Sequence, residues 1–413
     1  MALTYRDTRT DRVMHLGRRG RSISMYVCGP TVYAPAHVGH ARTYLYFDLV
    51  RRYFAATGVG VRHLMNITDV EDKIDQRARQ LHLRPEVLSL REERRFFSDL
   101  DRLRVLRPTV APRASDFVHD MIGFARRLER TGRVHRVGES WFYRPPDSTA
   151  RRNFRVAREL DRHRVAEPRI GSRPVLDLRE FLVWKRQDPP RRSWRSPWGA
   201  GVPGWHLECY AMAERYFGVP IDLQGGGPDL VFPHHYAQNE IAFALRGTPF
   251  ARGFLHTGFV LRDGSKMSKS VGNLVELGPA LDRWGPSALR WYLLSTPRRR
   301  TVDWHDRDAS ESRSQFDRVR RSVRSIVAPG ASGSLRAREV ERLGLSMQQA
   351  IALELGAERA FALLRRFAER AEGAANGRIA RGERTRANLA FRRIEALTGL
   401  ELLESAPRAG RRA

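Results

Sequence analysis

The chain has 413 residues, enough for two or three domains with a full core. Hydrophobic residues make up 41% and charged residues 29%, the balance of a globular protein in water. No apolar run reaches the roughly 20 residues that span a bilayer. The formal charge of +28 favours phosphate-rich partners, nucleic acid first, although an arginine-rich coding bias yields the same excess. The opening MALTYRDTRTDR has no apolar stretch, so no secretory signal is expected. Two distant cysteines make no disulfide scaffold, and a cytoplasmic location is the expectation. Of 74 basic residues only four are lysine: Lys73, Lys185, Lys266 and Lys269. A compact, mobile ammonium is not interchangeable with a planar guanidinium, so the pair Lys266/Lys269 in one loop points to a use for the ammonium itself.

In chain order, residues 1–24 read as a polar lead-in with a hairpin around 16–20. A strand over 25–28 turns at Gly29-Pro30 and feeds a helix over about 37–57. That helix has apolar positions Leu45, Leu49, Tyr53 and Phe54 and a stop at Gly58. A second strand over 61–67 completes a βαβ unit, which implies a parallel sheet. Residues 74–135 read as arginine-rich helices broken at 108–112. Residues 136–200 read as irregular with a short strand at 140–143. A helix begins at Pro203-Gly204-Trp205-His206-Leu207-Glu208-Cys209 and runs to about 217. A strand over 219–223 ends in Gly225-Gly226-Gly227-Pro228-Asp229. The next helix spans about 233–245, and a strand over 254–261 precedes Lys266-Met267-Ser268-Lys269-Ser270. Beyond 279 the pattern is mainly helical, at 288–294, 310–327, 336–372 and 385–397. A linker is expected at 329–333 and a basic, disordered tail at 405–413.

The chemistry-bearing residues gather at strand ends and helix starts. Cys28, Cys209 and the pair His234/His235 offer thiolate and imidazole, the donors zinc prefers; two buried thiols and a surface histidine pair are the plainer reading. His37 and His40 lie one turn apart at a helix start, where the dipole and free N–H groups favour phosphate; ordinary capping is the alternative. Gly39 between them leaves room for a flat ring against the backbone. Lys266 and Lys269 suit a pyrophosphate, or a solvated loop. Gly227 and Asp229 suit a ribose, with Asp229 accepting from hydroxyls. Trp205 walls a small pocket or simply packs.

Together, MYVCGPTVY, HVGH, NITDVEDKI, VWK, GWHLEC, QGGGPDLVFPHH and KMSKSVGN make the chain resemble a class I aminoacyl-tRNA synthetase, specifically of the cysteinyl family, from about residue 16 to 294. The resemblance implies an α/β fold: a Rossmann-type parallel-sheet catalytic domain in two halves, 1–94 and 196–275, with an insertion at 95–195. A stem-contact region at 276–328 and an all-α helical bundle at 329–404 follow. It implies activation of L-cysteine by ATP with Mg²⁺, transfer to tRNA(Cys), one Zn²⁺ holding the substrate thiol, and a monomer. The carried-over catalytic residues are His37, His40, Lys266 and Lys269. ATP contacts fall to Gly29, His37, Gly39, His40, Gly227, Asp229 and Lys269, and cysteine contacts to Cys28, Thr31, Thr68 and Trp205. The metal ligands are Cys28, Cys209 and His234.

The fourth ligand departs from the family. The family pattern His-His-x-Asn-Glu puts a Glu one turn after the first His, but this chain reads His234-His235-Tyr236-Ala237-Gln238-Asn239-Glu240. Without a gap Gln238 takes that place; with a two-residue insertion Glu240 does. Six residues on a regular helix leave a net rotation of about 240°, so Glu240 requires a bulge or a late helix start. Glu240 is the expected ligand, with a three-ligand site as the alternative. The family also continues into an anticodon-reading domain that has no counterpart before Ala413. A mycothiol-type cysteine ligase, which passes cysteine from the same adenylate to a glucosaminyl-inositol amine, is therefore the runner-up. The synthetase spelling Pro30-Thr31-Val32-Tyr33 opposes it. A non-catalytic tRNA-binding module is the third reading, opposed by intact HVGH and KMSKS.

Overall fold

The computed structural model describes residues 2–17, 22–150, 153–154, 169–170, 173–174, 179–188, 191–267, 272–329, 336–373 and 379–403. Its centre is a four-stranded, all-parallel sheet of β1 (Ile23–Val27), β2 (Val61–Met65), β3 (Ile221–Gly226) and β4 (Ala251–His256), in the spatial order β4-β3-β1-β2. Met25 pairs with Leu223 on one side and with His63 on the other. Chain order therefore reverses across β1. Residues leaving the carboxyl ends of β1 and β3 diverge there and open a crevice, the usual ligand site of such sheets. Strand β1 is buried at all five positions, as expected for a strand covered on both faces.

Helix α1 (Val38–Ala56) returns the chain from β1 to β2. It is buried almost all round from Ala41 to Val50, including Arg42 and Asp48, because it is sandwiched between the sheet and the helical bundle. Its charges are matched. Arg42 donates to the carbonyls of Leu293, Pro297 and Arg300 at 3.1, 3.0 and 2.7 Å. Asp48 accepts from Arg290, from Arg52 at 2.7 Å and from the Leu106 N–H at 2.8 Å. The expected strand over 254–261 is two strands, β4 and Val260–Arg262, the middle strand of a separate three-stranded sheet, because the chain leaves the parallel sheet at Thr257-Gly258.

Between the sheet halves lies an antiparallel sheet of Val134–Val137, Ser140–Tyr143, Phe181–Arg186 and Gly201–Pro203. The lead-in forms a hairpin, Leu3–Arg6 with Val13–Leu16, that turns at 7–12, while residues 18–20 of the hairpin expected around 16–20 lie outside the described residues. The helical part comprises α4 (Asp306–Val327), α5 (Ala337–Ala352), α6 (Ala357–Gly373) and α7 (Arg381–Thr398), after α2 (Trp205–Tyr216) and α3 (Tyr236–Arg246) of the catalytic half. The stretch read as 336–372 breaks at Glu354 and Leu355, which take φ of 59° and 55°. Of the expected linker over 329–333 all but residue 329, and the whole expected tail over 405–413, fall outside the described residues.

Candidate functional site

The metal-type cluster forms where three chain segments meet at the carboxyl end of the sheet. Cys28 is the first residue after β1, Cys209 sits in α2, and His234 lies in the turn Val231–His235 before α3. Gly29 fixes the first of these, since a Cβ there would sit 1.7 Å from the Asn66 carbonyl oxygen. Cys28 Sγ is 3.7 Å from Cys209 Sγ, and Cys209 Sγ is 3.3 Å from His234 Nε2. All three donor atoms lie within 4.8 Å of one another and all three residues are buried. Burial, then the neighbouring Cys28, push the Cys209 thiol well above its usual range. Burial, then His206 and His235, hold His234 well below its usual range, so its imidazole is neutral. A neutral imidazole beside two thiols that lack a compensating cation is a donor set that fits a thiophilic divalent metal.

Apart from His235, offered by the sequence as a donor beside His234, and Thr68, expected at the cysteine site, the partners of these donors are residues the sequence reading did not single out. His206 Nδ1 meets His234 Nδ1 at 2.9 Å, which turns His234 Nε2 toward the sulfurs. His235 Nε2 lies 3.2 Å from Cys28 Sγ, and its Nδ1 lies 2.7 Å from His256 Nε2. Gln224 Nε2 donates to Cys28 Sγ at 3.3 Å. Glu208, buried beside Cys209, accepts from Thr68 Oγ1 at 3.2 Å, and burial raises its carboxyl well above the ordinary range. The sequence did carry a signal for most of them: His206 and Glu208 flank Cys209 in GWHLEC, Gln224 opens QGGG, and His235 doubles His234.

The structure places Glu240 elsewhere. Helix α3 is regular, so six residues carry Glu240 to the far side from His234, where Asn153 Nδ2 donates to its carboxylate at 2.6 Å. The structure thus does not bring Glu240, the expected fourth ligand, to the Cys28–Cys209–His234 group. Gln238, one turn after His234, faces the cluster instead, with Nε2 2.7 Å from His234 Nε2.

The nucleotide-type residues line a cleft of about 480 Å³ above the cluster. His37 caps α1, its Nδ1 accepting from the Gly39 N–H at 3.1 Å, while His40 Nδ1 accepts from the His37 N–H at 3.3 Å. The two rings lie 4.0 Å apart, tilted by 30°. A Cβ on Gly39 would fall 2.8 Å from the His37 ring, so only glycine permits this pairing. Capping and the phosphate reading are therefore compatible, because the rings are pinned beside the first turn of a helix where it borders the cleft.

Cys28, Gly29, Thr31, His37, Gly39, His40, Trp205, Gly227, Asp229 and Lys266 all border this one cleft. Trp205 stacks on His234 at 4.1 Å and 18°, forming the wall between cluster and cleft. Thr68 is buried behind Thr31, where its N–H donates to the Pro30 carbonyl at 3.1 Å. Lys266 Nζ is 3.3 Å from Asp229 Oδ2 across the cleft mouth. Lys269 lies outside the described residues.

A parallel sheet with a switch-point crevice, an H-x-G-H helix start and a lysine loop on the facing rim defines a class I aminoacyl-tRNA synthetase catalytic fold. Solved structures agree on the fold. Methionyl-tRNA synthetase of Mycobacterium tuberculosis in complex with methionyl-adenylate superposes with a TM-score of 0.64 at 16% identity over 92% of each chain. A putative arginyl-tRNA synthetase of Campylobacter jejuni reaches 0.59 at 11% identity over 94% of each chain. The particular family follows from sequence. Residues 16–314 match the model of the tRNA synthetases class I (C) catalytic domain, and the chain belongs to that family. Among curated relatives, the cysteine–tRNA ligase of Desulforamulus reducens is 40% identical over 74% of this chain and 62% of its own length. That of Thermococcus onnurineus is 36% identical over 75% of this chain and 64% of its own length. The match thus spans under two thirds of those relatives.

Proposed function

We propose that this chain activates L-cysteine with ATP to cysteinyl-adenylate and transfers it to the 3′ end of tRNA(Cys), as a cytoplasmic, monomeric cysteine–tRNA ligase. The observation that carries the reading is one shared boundary: the Cys28–Cys209–His234 cluster meets, through Cys28 and Trp205, the same cleft that His37 and His40 border. Sulfur recognition and nucleotide binding then act on one small molecule.

Cys28, Cys209 and His234 would hold zinc, which supplies a soft Lewis acid that prefers a thiolate to a hydroxyl. A shaped apolar pocket separates near-isosteres such as cysteine and serine by only about 10–200-fold, so a donor set for a thiophilic ion has a clear use here. Trp205 covers the His234 ring and excludes water from that side. Gly29 and Thr31 lie where the amino acid backbone would rest, with Thr68 behind them. His37 and His40 present cleft-facing rings beside the α1 N-terminus to the ATP phosphates, with Mg²⁺ accompanying the nucleotide. Gly227 lets the ribose approach and Asp229 accepts from its hydroxyls. Lys266 and Lys269 steady the leaving pyrophosphate while a cysteine carboxylate oxygen attacks the α-phosphorus and the bond to the bridging oxygen breaks. No protein nucleophile is required, since positioning and charge carry the step.

Cysteine-dependent ATP–pyrophosphate exchange tests the first half, and charging of tRNA(Cys) transcript tests the second. Equal exchange with serine, or no exchange, refutes the activation reading. Exchange with transfer only to an amino-sugar amine refutes the acceptor.

A further inference from the structure

Resting on the zinc reading above, we infer that Gln224 and Gln238 make this metal site a three-donor, charge-neutral one, by giving each thiolate an N–H donor in place of a fourth, anionic ligand. The arrangement is nearly symmetrical. Gln224 Nε2 donates to Cys28 Sγ at 3.3 Å, and Gln238 is hydrogen-bonded to the Cys209 thiol. The two amides also touch each other, Gln224 Nε2 lying 3.4 Å from Gln238 Oε1. Both side chains are fully buried, and Gln224 Oε1 has no hydrogen-bond partner among the described residues. An unpartnered amide oxygen is costly in a core unless its companion N–H group serves a purpose there.

Two carboxylates stand near in sequence: Glu240 is held by Asn153 on the other face of α3, and Glu208 accepts from Thr68. His235 Nε2 approaches Cys28 Sγ at 3.2 Å but lies outside the group of donors that are all within 4.8 Å of one another, and its other nitrogen is engaged by His256. The neutral oxygen of Gln238 ranks far below thiolate and imidazole for a borderline-soft ion. Among the described residues Cys28, Cys209 and His234 are therefore the protein donor set, with two negative charges against a divalent cation. Three protein donors leave a coordination position for a fourth group, the pattern of metal sites that act on a ligand. A neutral centre also accepts an incoming thiolate more readily than one that already carries a carboxylate. The N–H donors weaken the sulfurs as ligands, which lowers metal affinity and sharpens the pull on the incoming thiolate.

The test loads purified protein with Zn²⁺ or Co²⁺ and follows chelator competition and the cobalt spectrum, with and without L-cysteine. Wild type should bind one metal, and L-cysteine should add a sulfur-to-cobalt band. Gln238→Glu should bind the metal at least about tenfold more tightly, the scale on which ligand surroundings act, and show a smaller cysteine-induced change. Gln238→Leu should retain one metal and the cysteine response, and it guards against a folding defect in the buried Glu variant. Equal metal affinity in wild type and Gln238→Glu overturns the inference. So does loss of metal in a folded Gln238→Leu protein, which would make Gln238 a ligand. Wild type that exchanges cysteine-dependent pyrophosphate without any bound metal overturns the zinc reading itself.

Discussion

Arg290→Leu should be among the most destabilising single changes in this molecule. Arg290 is fully buried and binds the Asp48 carboxylate of α1. It also donates to the carbonyls of Thr398 and Leu103 at 3.1 and 3.0 Å. One guanidinium thus ties the HVGH helix, the end of α7 and the chain after Pro85–Arg102 into one knot. Asp48 also accepts from Arg52, which keeps one opposite charge nearby. Burial alone would raise the Asp48 carboxyl, but Arg290, Arg52 and the Leu106 N–H outweigh it and hold it low. Removing Arg290 leaves a buried carboxylate half-compensated and two carbonyls orphaned, a loss of about 3–5 kcal/mol on the scale of broken buried pairs. Arg290→Leu/Asp48→Leu removes both charges and should lose much less than the sum of the two single variants. Urea unfolding followed by circular dichroism reads the first transition of each variant. A single variant within about 1 kcal/mol of wild type, or a double variant equal to the sum, would show that the knot has no such coupling.

Cys209→Ser should lose bound metal and cysteine affinity together in metal analysis and calorimetry; lost metal with unchanged cysteine affinity refutes the thiol-holding role. Glu240→Gln should keep full metal stoichiometry, because that carboxylate faces Asn153; metal loss would return Glu240 to the ligand set. His63 is buried, its ring nitrogens lack hydrogen-bond partners among the described residues, and burial then Arg51 lower its pKa to about 3. The unfolded chain titrates it near 6.5, so its contribution is complete above about pH 6.5 and is lost as pH falls toward 3. His63→Leu should flatten the stability profile between pH 4 and 6, and an unchanged acid slope refutes this origin.

Much of the fold was legible because its signals are local. A continuous apolar run marked β1, the stretch leading into Gly225-Gly226-Gly227 marked β3, and H-x-G-H with an apolar stripe marked α1. The hairpin Leu3–Arg6/Val13–Leu16 was missed because its partner contacts lie far along the chain: Arg6 N–H donates to Glu354, and Thr4 Oγ1 donates to the Ala352 carbonyl. The break at Glu354 and Leu355 was missed for the same reason, since no Gly or Pro marks those two residues and the hairpin holds the turn. At the site, donor identity was readable from residue type, but their partners were not. Burial alone separates Gln224 and Gln238 from ordinary polar residues, and burial is a tertiary fact.

Glu240 shows where sequence alignment and helix geometry part. Preserving the Asn-Glu spelling required a two-residue slip, and the slip has a physical signature: a bulge or a delayed helix start. The chain has an irregular turn, Val231–His235, but its non-helical residue is Phe232, ahead of His234. From Tyr236 onward every residue advances by the regular 100°, so position 238 inherits the face toward His234 whatever its side chain. The backbone has kept the geometry of a fourth-ligand position while the side chain there carries no charge. Its neutrality therefore belongs with that of Gln224 on the facing strand, as one arrangement of two amides around two thiolates.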